Sequence, residues 1–234
     1  MGDRRLGTFG AGTGAAFAVL ELLAGFIYPQ QPRIDGPPAV TVAWARSNRV
    51  ALQTGMIFGL AAAALLVWFS GYLVTRMARG DVEQATVAPM VLGGGVAAAV
   101  VAAVAAIPIA LLAFMVGQAP GIPDPTVVRL LADLNTVLFA ASAVMTGVFL
   151  IAIGLAILRG ELGAPRWLGR FSLVAAGFNA VTVWMVITFS TYHGKWWNIV
   201  AFGAYIGFVI VVFSLSVTLL RRREKVDVTD PVNA

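Results

Sequence analysis

Residues 87–116 read VAPMVLGGGVAAAVVAAVAAIPIALLAFMV and contain no charged side chain. A helix rises about 1.5 Å per residue, so a run of this length exceeds the roughly 30 Å hydrocarbon core of a bilayer. Only 12% of the 234 residues are charged and 59% are hydrophobic, whereas soluble domains carry about 25% charged residues. The sequence therefore predicts a membrane protein.

Five other apolar runs are also long enough to span a bilayer. The six predicted spans are residues 6–28, 50–74, 87–116, 134–158, 171–189 and 198–220. A helix satisfies its own backbone hydrogen bonds inside a bilayer, so runs of this length indicate helices rather than a barrel. The predicted fold class is all-α: a polytopic bundle of six transmembrane helices, with residues 1–234 forming a single integral membrane domain. Pro108 is expected to kink or end the third helix.

The first apolar run has two interpretations. The basic stretch MGDRR precedes it, as in a cleaved signal peptide. Its apolar part is longer than the usual signal-peptide core, however, and no small-x-small cleavage site closes it. We therefore interpret this run as a retained span.

The Lys and Arg residues are distributed unevenly between the two sides of the predicted bundle. If the N-terminus is inside, eleven of them fall in inner segments and five in outer ones, namely Arg33, Arg46, Arg49, Arg129 and Lys195. Basic residues concentrate in the cytoplasmic segments of membrane proteins. The sequence therefore predicts that both termini are cytoplasmic.

Several chemistries are excluded by the residue types that the chain lacks. It has no cysteine and a single histidine, His193. Thiolate nucleophiles, disulfides, iron–sulfur clusters and a haem held by two histidines are therefore excluded within one chain. No nucleotide-binding loop or catalytic serine motif is present, and the net charge of +5 comes from residues that flank the spans. We expect no cofactor, no metal and no nucleic-acid partner.

One carboxylate lies inside the first span, in the stretch AAFAVLELLAGF at residues 15–26. By helical rise, Glu21 is about 10 Å from Tyr28 at the outer boundary. An unpaired carboxylate inside a membrane costs at least ~2.5 kcal/mol, so Glu21 should be protonated or should face a partner or water. Arg49 is the preferred partner by depth, because arginine side chains can reach inward from the interface.

Glu21, Arg49, Gln53 and Asn179 together predict a polar pocket that opens to the outside. Ionisable groups inside a membrane mark functional sites by default. The alternative is a structural hydrogen-bond clamp, since a single carboxylate makes a poor proton relay. The sequence favours neither interpretation.

Small residues recur at four-residue spacing in three of the spans. The pairs are Gly10 and Gly14, Gly55 and Gly59, and Gly203 and Gly207. Such faces allow helices in lipid to approach closely. We expect packing between helices of the same chain rather than a homodimer seam.

Three blocks of the sequence carry a resemblance to known proteins: WARSNRVALQTG at residues 44–55, LLADLNTVLF at 130–139 and LRGELGAPRWLGRFSLVAAG at 158–177. Together they resemble a group of actinobacterial multi-span membrane proteins of unknown function. The resemblance implies six helices and a plasma-membrane location. It implies no activity, cofactor or catalytic residue.

Three function classes are compatible with these features. An accessory or structural membrane protein, which binds lipid or a membrane partner, is favoured. The alternative is a small-molecule transporter or permease-like protein that uses the outward-facing pocket around Glu21. An enzyme is not expected, because histidine, cysteine and paired carboxylates are scarce or missing. The expected partners are membrane lipids and other membrane proteins, and a homo-oligomer is compatible with the sequence without being indicated by it.

Overall fold

The computed structural model describes residues 2–32, 37–78, 87–118, 124–188 and 195–229. These ranges contain seven helices and no strand: α1 Gly2–Ile27, α2 Pro38–Ser47, α3 Arg49–Met77, α4 Ala88–Gln118, α5 Pro125–Leu158, α6 Arg166–Thr188 and α7 Lys195–Thr229. All of them except α2 are long and apolar enough to cross a membrane. The predicted all-α bundle of six spanning helices is confirmed.

The orientation of the termini stays a prediction. It depends in part on basic residues whose side chains lie outside the described part of the chain, namely Arg4, Arg5, Arg33, Arg79, Lys195, Arg223 and Lys225. We therefore name the two ends of the bundle by their structure. The α2 end carries α2, and the terminal end carries the start of α1 and the end of α7.

Several helices extend beyond the predicted spans, most clearly α5 at its start and α7 at its end. Helix α5 begins at Pro125, well before the predicted start at residue 134. Asp124 caps it, because its Oδ1 atom accepts a hydrogen bond from the Thr126 backbone N–H at 2.8 Å. Helix α4 continues through Pro108 to Gln118, so the proline does not end the helix. The length of the apolar run did not predict the start of α5, because the capping residue Asp124 lies outside that run.

Helix α2 was not predicted, because the segment between the first two spans reads as an outer loop. It has only 10 residues and begins just after Pro37, with proline also at its first position. Its buried apolar side chains, Val42 and Ala45, pack with Ile109 and Leu112 of α4 in a small apolar cluster. The helix therefore covers one end of the bundle without crossing the membrane.

The six spanning helices form a closed ring. Helix α1 packs against α3 and α7, and the chain of contacts runs from α3 through α4, α5 and α6 back to α7. Many large apolar side chains on the ring surface are exposed, as a lipid-facing surface requires. Neighbours in sequence are thus neighbours in space, apart from the pairing of the first and last helices.

Three phenylalanines fill the middle of the ring toward the terminal end. Phe208 of α7 makes edge contacts with Phe17 of α1 and Phe149 of α5, at ring-centroid distances of 5.3 and 6.1 Å. We call these three rings the aromatic plug. Gly94 of α4 makes room for α5 beside it, because an added Cβ would lie 2.9 Å from the Phe149 backbone nitrogen.

The small-residue faces pack within the chain. Gly10 and Gly14 of α1 face aromatic rings of α3, and Gly203 and Gly207 of α7 face α6. Gly55 of α3 faces α1. The prediction of packing between helices of one chain is confirmed at these five positions but not at Gly59, where nothing lies within 4 Å of an added Cβ.

The connection between α5 and α6 is a tight glycine turn. Gly160 has φ of 84°, and its N–H binds the Ile157 carbonyl oxygen at 3.0 Å. The Glu161 N–H binds the Ala156 carbonyl oxygen at 2.9 Å, which completes a Schellman motif. Both Glu161 carboxylate oxygens are buried and make no hydrogen bond among the described residues.

Candidate functional site

A cavity of about 740 Å³ lies inside the ring. Its walls come from α1, α3, α4, α5 and α7, and most of its lining residues are apolar or glycine. The polar lining residues are Glu21, Tyr28, Gln30, Gln31, Asn135, Thr136 and Tyr205. Glu21 follows Phe17 by one helical turn, so the aromatic plug lies on the terminal-end side of Glu21.

Small residues on α3 and α4 leave the space of the cavity unfilled. Gly59 of α3 lines the cavity and has nothing within 4 Å of the position that a Cβ would take. Ala102 and Ala106 form the facing part of the α4 wall. Larger side chains at these positions would occupy the space, so the volume is a property of the residue types along α3 and α4.

At the deep end of the cavity, Glu21 meets Tyr205. The Tyr205 hydroxyl on α7 donates to the Glu21 backbone carbonyl and also contacts the Glu21 carboxylate. Gly25, one turn along α1, permits this approach, because an added Cβ would lie 2.7 Å from the Tyr205 hydroxyl oxygen. Glu21 and Tyr205 thus join α1 to α7 at the wall of the cavity.

A second polar cluster lies at the α2 end. The Gln31 amide nitrogen donates to the Tyr28 hydroxyl at 2.7 Å and to Asn135 Oδ1 at 2.8 Å. The Tyr28 hydroxyl donates to the same Asn135 oxygen at 3.2 Å, and the Asn135 amide donates to the Ala105 carbonyl at 2.7 Å. The Thr136 hydroxyl lies 2.9 Å from Gln31 Oε1. This network ties the chain after α1 to α4 and α5.

Along one edge the cavity is open. Phe26 of α1 is 82% exposed, and Ile199 and Phe202 of α7 are 58% and 60% exposed, although all three line the cavity. Helices α1 and α7 are neighbours in the ring. Aromatic and aliphatic side chains therefore flank the opening.

Of the four residues predicted to form a polar pocket, only Glu21 lines the cavity. Arg49 begins α3 and its guanidinium packs against Gly117 of α4, while its Nε atom is buried and makes no hydrogen bond among the described residues. The Asn179 amide donates to the Ala175 carbonyl of its own helix at 2.9 Å, and Gln53 lies outside the lining. Glu21 meets Tyr205 in place of the preferred partner Arg49.

Sequence reasoning missed five polar lining residues: Gln30, Gln31, Asn135, Thr136 and Tyr205. Asn135 is 2% exposed and Tyr205 lies within an apolar run. The rule that singled out Glu21, a polar side chain inside an apolar span, would also have identified Asn135 and Tyr205. Gln31 carries no such signal, because it lies beyond the first span.

No protein-family model, curated protein or solved structure matches the chain. The resemblance to the actinobacterial group therefore stays a prediction. Within the described ranges, no three His, Cys, Asp or Glu residues lie close enough together to hold a metal ion. The functional interpretation is therefore based on the cavity and its polar side chains.

Proposed function

We propose that this multi-span membrane protein binds a small lipid-like molecule inside its helix bundle, and that it is an accessory membrane protein rather than an enzyme. The observation that carries the proposal is the cavity of about 740 Å³ inside the ring. Small-molecule sites commonly have volumes of about 300–1,000 Å³, mostly apolar walls and a few polar groups that orient the ligand. The cavity has each of these properties.

The distribution of polar groups favours an amphipathic ligand. Glu21 lies on α1 and Tyr28 is the residue just after the end of that helix, so helical rise over these seven residues places them about 10 Å apart on the same side. The wall between these two polar positions is largely apolar and includes Ala24 and Gly25. A molecule with an apolar body and a polar end matches this arrangement.

The lining residues support a binding role over a catalytic one. In the part of the chain that the structure describes, they include one carboxylate and no histidine, cysteine, lysine or arginine. General acid–base and nucleophilic catalysis need a positioned base or an activated nucleophile, most often with a second group that orients it. Glu21 and the hydroxyl of Tyr205 provide hydrogen bonding and one potential charge.

We further propose a plasma-membrane location with both termini in the cytoplasm. The excess of Lys and Arg in the predicted inner segments supports this orientation. The α2 end, and with it the cavity, then lies in the outer half of the membrane. Ligands would enter from the outer leaflet or from the outside.

Transport of a small molecule is the second candidate. It is favoured by the position of the cavity on one side of the aromatic plug, because a transporter closes its binding site toward one side of the membrane at a time. Transport would require the contacts of Phe208 with Phe17 and Phe149 to separate. Binding without transport requires no such movement.

The proposal is tested with an uncharged long-chain alcohol that carries a photoreactive diazirine. The purified protein in maltoside micelles is irradiated with this probe, with and without excess unlabelled alcohol, and the labelled peptides are identified by mass spectrometry. We expect saturable labelling of cavity-lining residues such as Met56 and Phe202.

Two glycine variants on α3 separate the cavity from the lipid-facing surface. Gly59→Leu places a side chain in the cavity. Gly71→Leu adds the same side chain at a position that does not line the cavity and has nothing within 4 Å of an added Cβ. Saturable labelling should be lost in the first variant and kept in the second. Labelling that cannot be competed and that is equal in all three proteins would overturn the proposal.

A further inference from the structure

The ionisable lining of the cavity is acidic. Among the lining residues that the structure describes, Glu21 is the only carboxylate, and none is a lysine, arginine or histidine. No ion pair of Glu21 occurs among the described residues, and the Arg49 guanidinium lies against Gly117 instead. An ionised Glu21 therefore gives the cavity a negative charge that these residues leave uncompensated.

An unpaired carboxylate in an apolar cavity is unfavourable, because a charge leaves water without gaining a counter-charge. A ligand that carries a positive charge supplies the missing partner. The attraction is strong at this depth, since the surrounding dielectric constant is low. A ligand with a carboxylate or phosphate group would meet like charge at Glu21.

The aromatic side chains of the lining favour the same ligand. They come from α5, from α7 and from the end of α1 with the residue that follows it, and are Phe26, Tyr28, Phe139, Phe202 and Tyr205. Aromatic ring faces attract cations, and they do so more strongly when the cation is removed from water. The same rings also bury the apolar part of a ligand.

We infer that the ligand of the cavity is a hydrophobic cation, such as an amine or quaternary ammonium on an apolar body, with its charged group against Glu21. This inference rests on the proposed binding function. The apolar walls hold the body of the ligand, and Glu21 selects the sign of its charge. Tyr205 holds α7 against α1 beside that carboxylate.

The test compares two probes of similar shape that differ in charge. Tetraphenylphosphonium is a hydrophobic cation, and triphenylphosphine oxide is an uncharged molecule with a similar aromatic body. Binding of each to the full chain in maltoside micelles is measured by equilibrium dialysis, with protein-free micelles as the blank. We expect the cation to bind saturably and about tenfold or more tightly than the uncharged probe.

Two carboxylate variants test whether Glu21 causes the preference for the cation. Glu21→Gln keeps the shape and hydrogen bonding of the side chain but removes its charge, so the preference for the cation should disappear. Glu161→Gln makes the same chemical change in the turn between α5 and α6, away from the cavity, and should keep the preference.

The outcomes separate the inference from the proposed function. Equal binding of both probes to the wild-type protein, blocked by Gly59→Leu, overturns the charge selection and leaves the binding function standing. A cation preference that persists in Glu21→Gln also overturns the inference. Failure of both probes and of the photoreactive alcohol overturns the binding function itself. The comparison of the two probes on the wild-type protein needs no variant, so it remains decisive if Glu21→Gln does not fold.

Discussion

The hydroxyl of Tyr205 on α7 donates a hydrogen bond to the backbone carbonyl oxygen of Glu21 on α1. That carbonyl belongs to the residue whose carboxylate lines the cavity. The contact joins the first and last spanning helices, which are far apart in sequence, and so closes the ring. The seam between α1 and α7 and the charged end of the cavity are therefore one structural unit.

Gly25 is expected to control this seam. Gly25→Ala places a methyl group 2.7 Å from the Tyr205 hydroxyl oxygen, so it should lower the free energy of unfolding by about 1–3 kcal/mol through overpacking. In a Tyr205→Phe background the colliding oxygen is gone, and the penalty should be markedly smaller. Thermal unfolding of the two single variants and the double variant in micelles measures this coupling. Additive effects would contradict it.

Asn135 should matter more for stability than Asn179, although both asparagines are buried. Asn135 links Tyr28 and Gln31 to the Ala105 carbonyl on another helix, whereas Asn179 donates within its own helix. Side-chain hydrogen bonds between membrane helices contribute about 0.6 kcal/mol on average and up to about 1.7. Asn135→Ala should therefore cost about 1–2 kcal/mol in thermal unfolding. An equal or larger loss for Asn179→Ala would show that the network adds no stability.

The glycines of the Gly55 and Gly59 pair should respond differently to a large side chain. An added Cβ at Gly55 meets Tyr28 at 3.6 Å and the Ala24 carbonyl oxygen at 3.7 Å, so a leucine there collides with α1. At Gly59, nothing lies within 4 Å of an added Cβ. Gly55→Leu should lower the yield of folded protein, and Gly59→Leu should leave it nearly unchanged. Both yields are read from size-exclusion chromatography in detergent, and equal losses would contradict the assignment.

The carboxyl group of Glu161 should make stability depend on pH. Burial raises the pKa of Glu161 above its ordinary value of 4.5, while the charge of Arg159 opposes that rise. The folded state thus favours the protonated carboxyl, so this contribution is fully present below pH 4.5 and is lost as pH rises through the folded-state pKa. Glu161→Gln should be more stable than the wild-type protein at pH 7, with the difference vanishing toward pH 4. Midpoints of thermal unfolding across this range provide the measurement, and a difference that is constant with pH would rule out the linkage.

The proposed orientation is tested with reporter fusions along the chain. Fusions after Arg79, Gly160 and Ala234 should report the cytoplasm, because the excess of basic residues lies on that side. Fusions within residues 30–45 and near Pro123 should report the outside. A cytoplasmic signal from the segment at Pro123 would contradict this orientation of the six spans.

The existence of the spans followed from the sequence because it is a local property. The run at residues 87–116 lacks charge and exceeds the bilayer thickness, and these two facts decide its helical state without reference to any other segment. The burial cost of Glu21 followed in the same way from its position in an apolar run. Helix α2 escaped prediction because a short helix at the end of a bundle is defined by its contacts with α4 and α5.

The tertiary structure alone decided what surrounds Glu21. Depth along a helix ranked Arg49 as its partner, but depth does not specify which faces of α1, α3 and α7 meet. The ring closes through α1 and α7, which brings Tyr205 to Glu21 and turns Arg49 toward α4. The cavity likewise depends on small residues from different helices that line it together, such as Gly59 of α3 and Ala102 of α4. These features are contacts between different helices, and the sequence of one helix does not specify which residues of another helix it will meet.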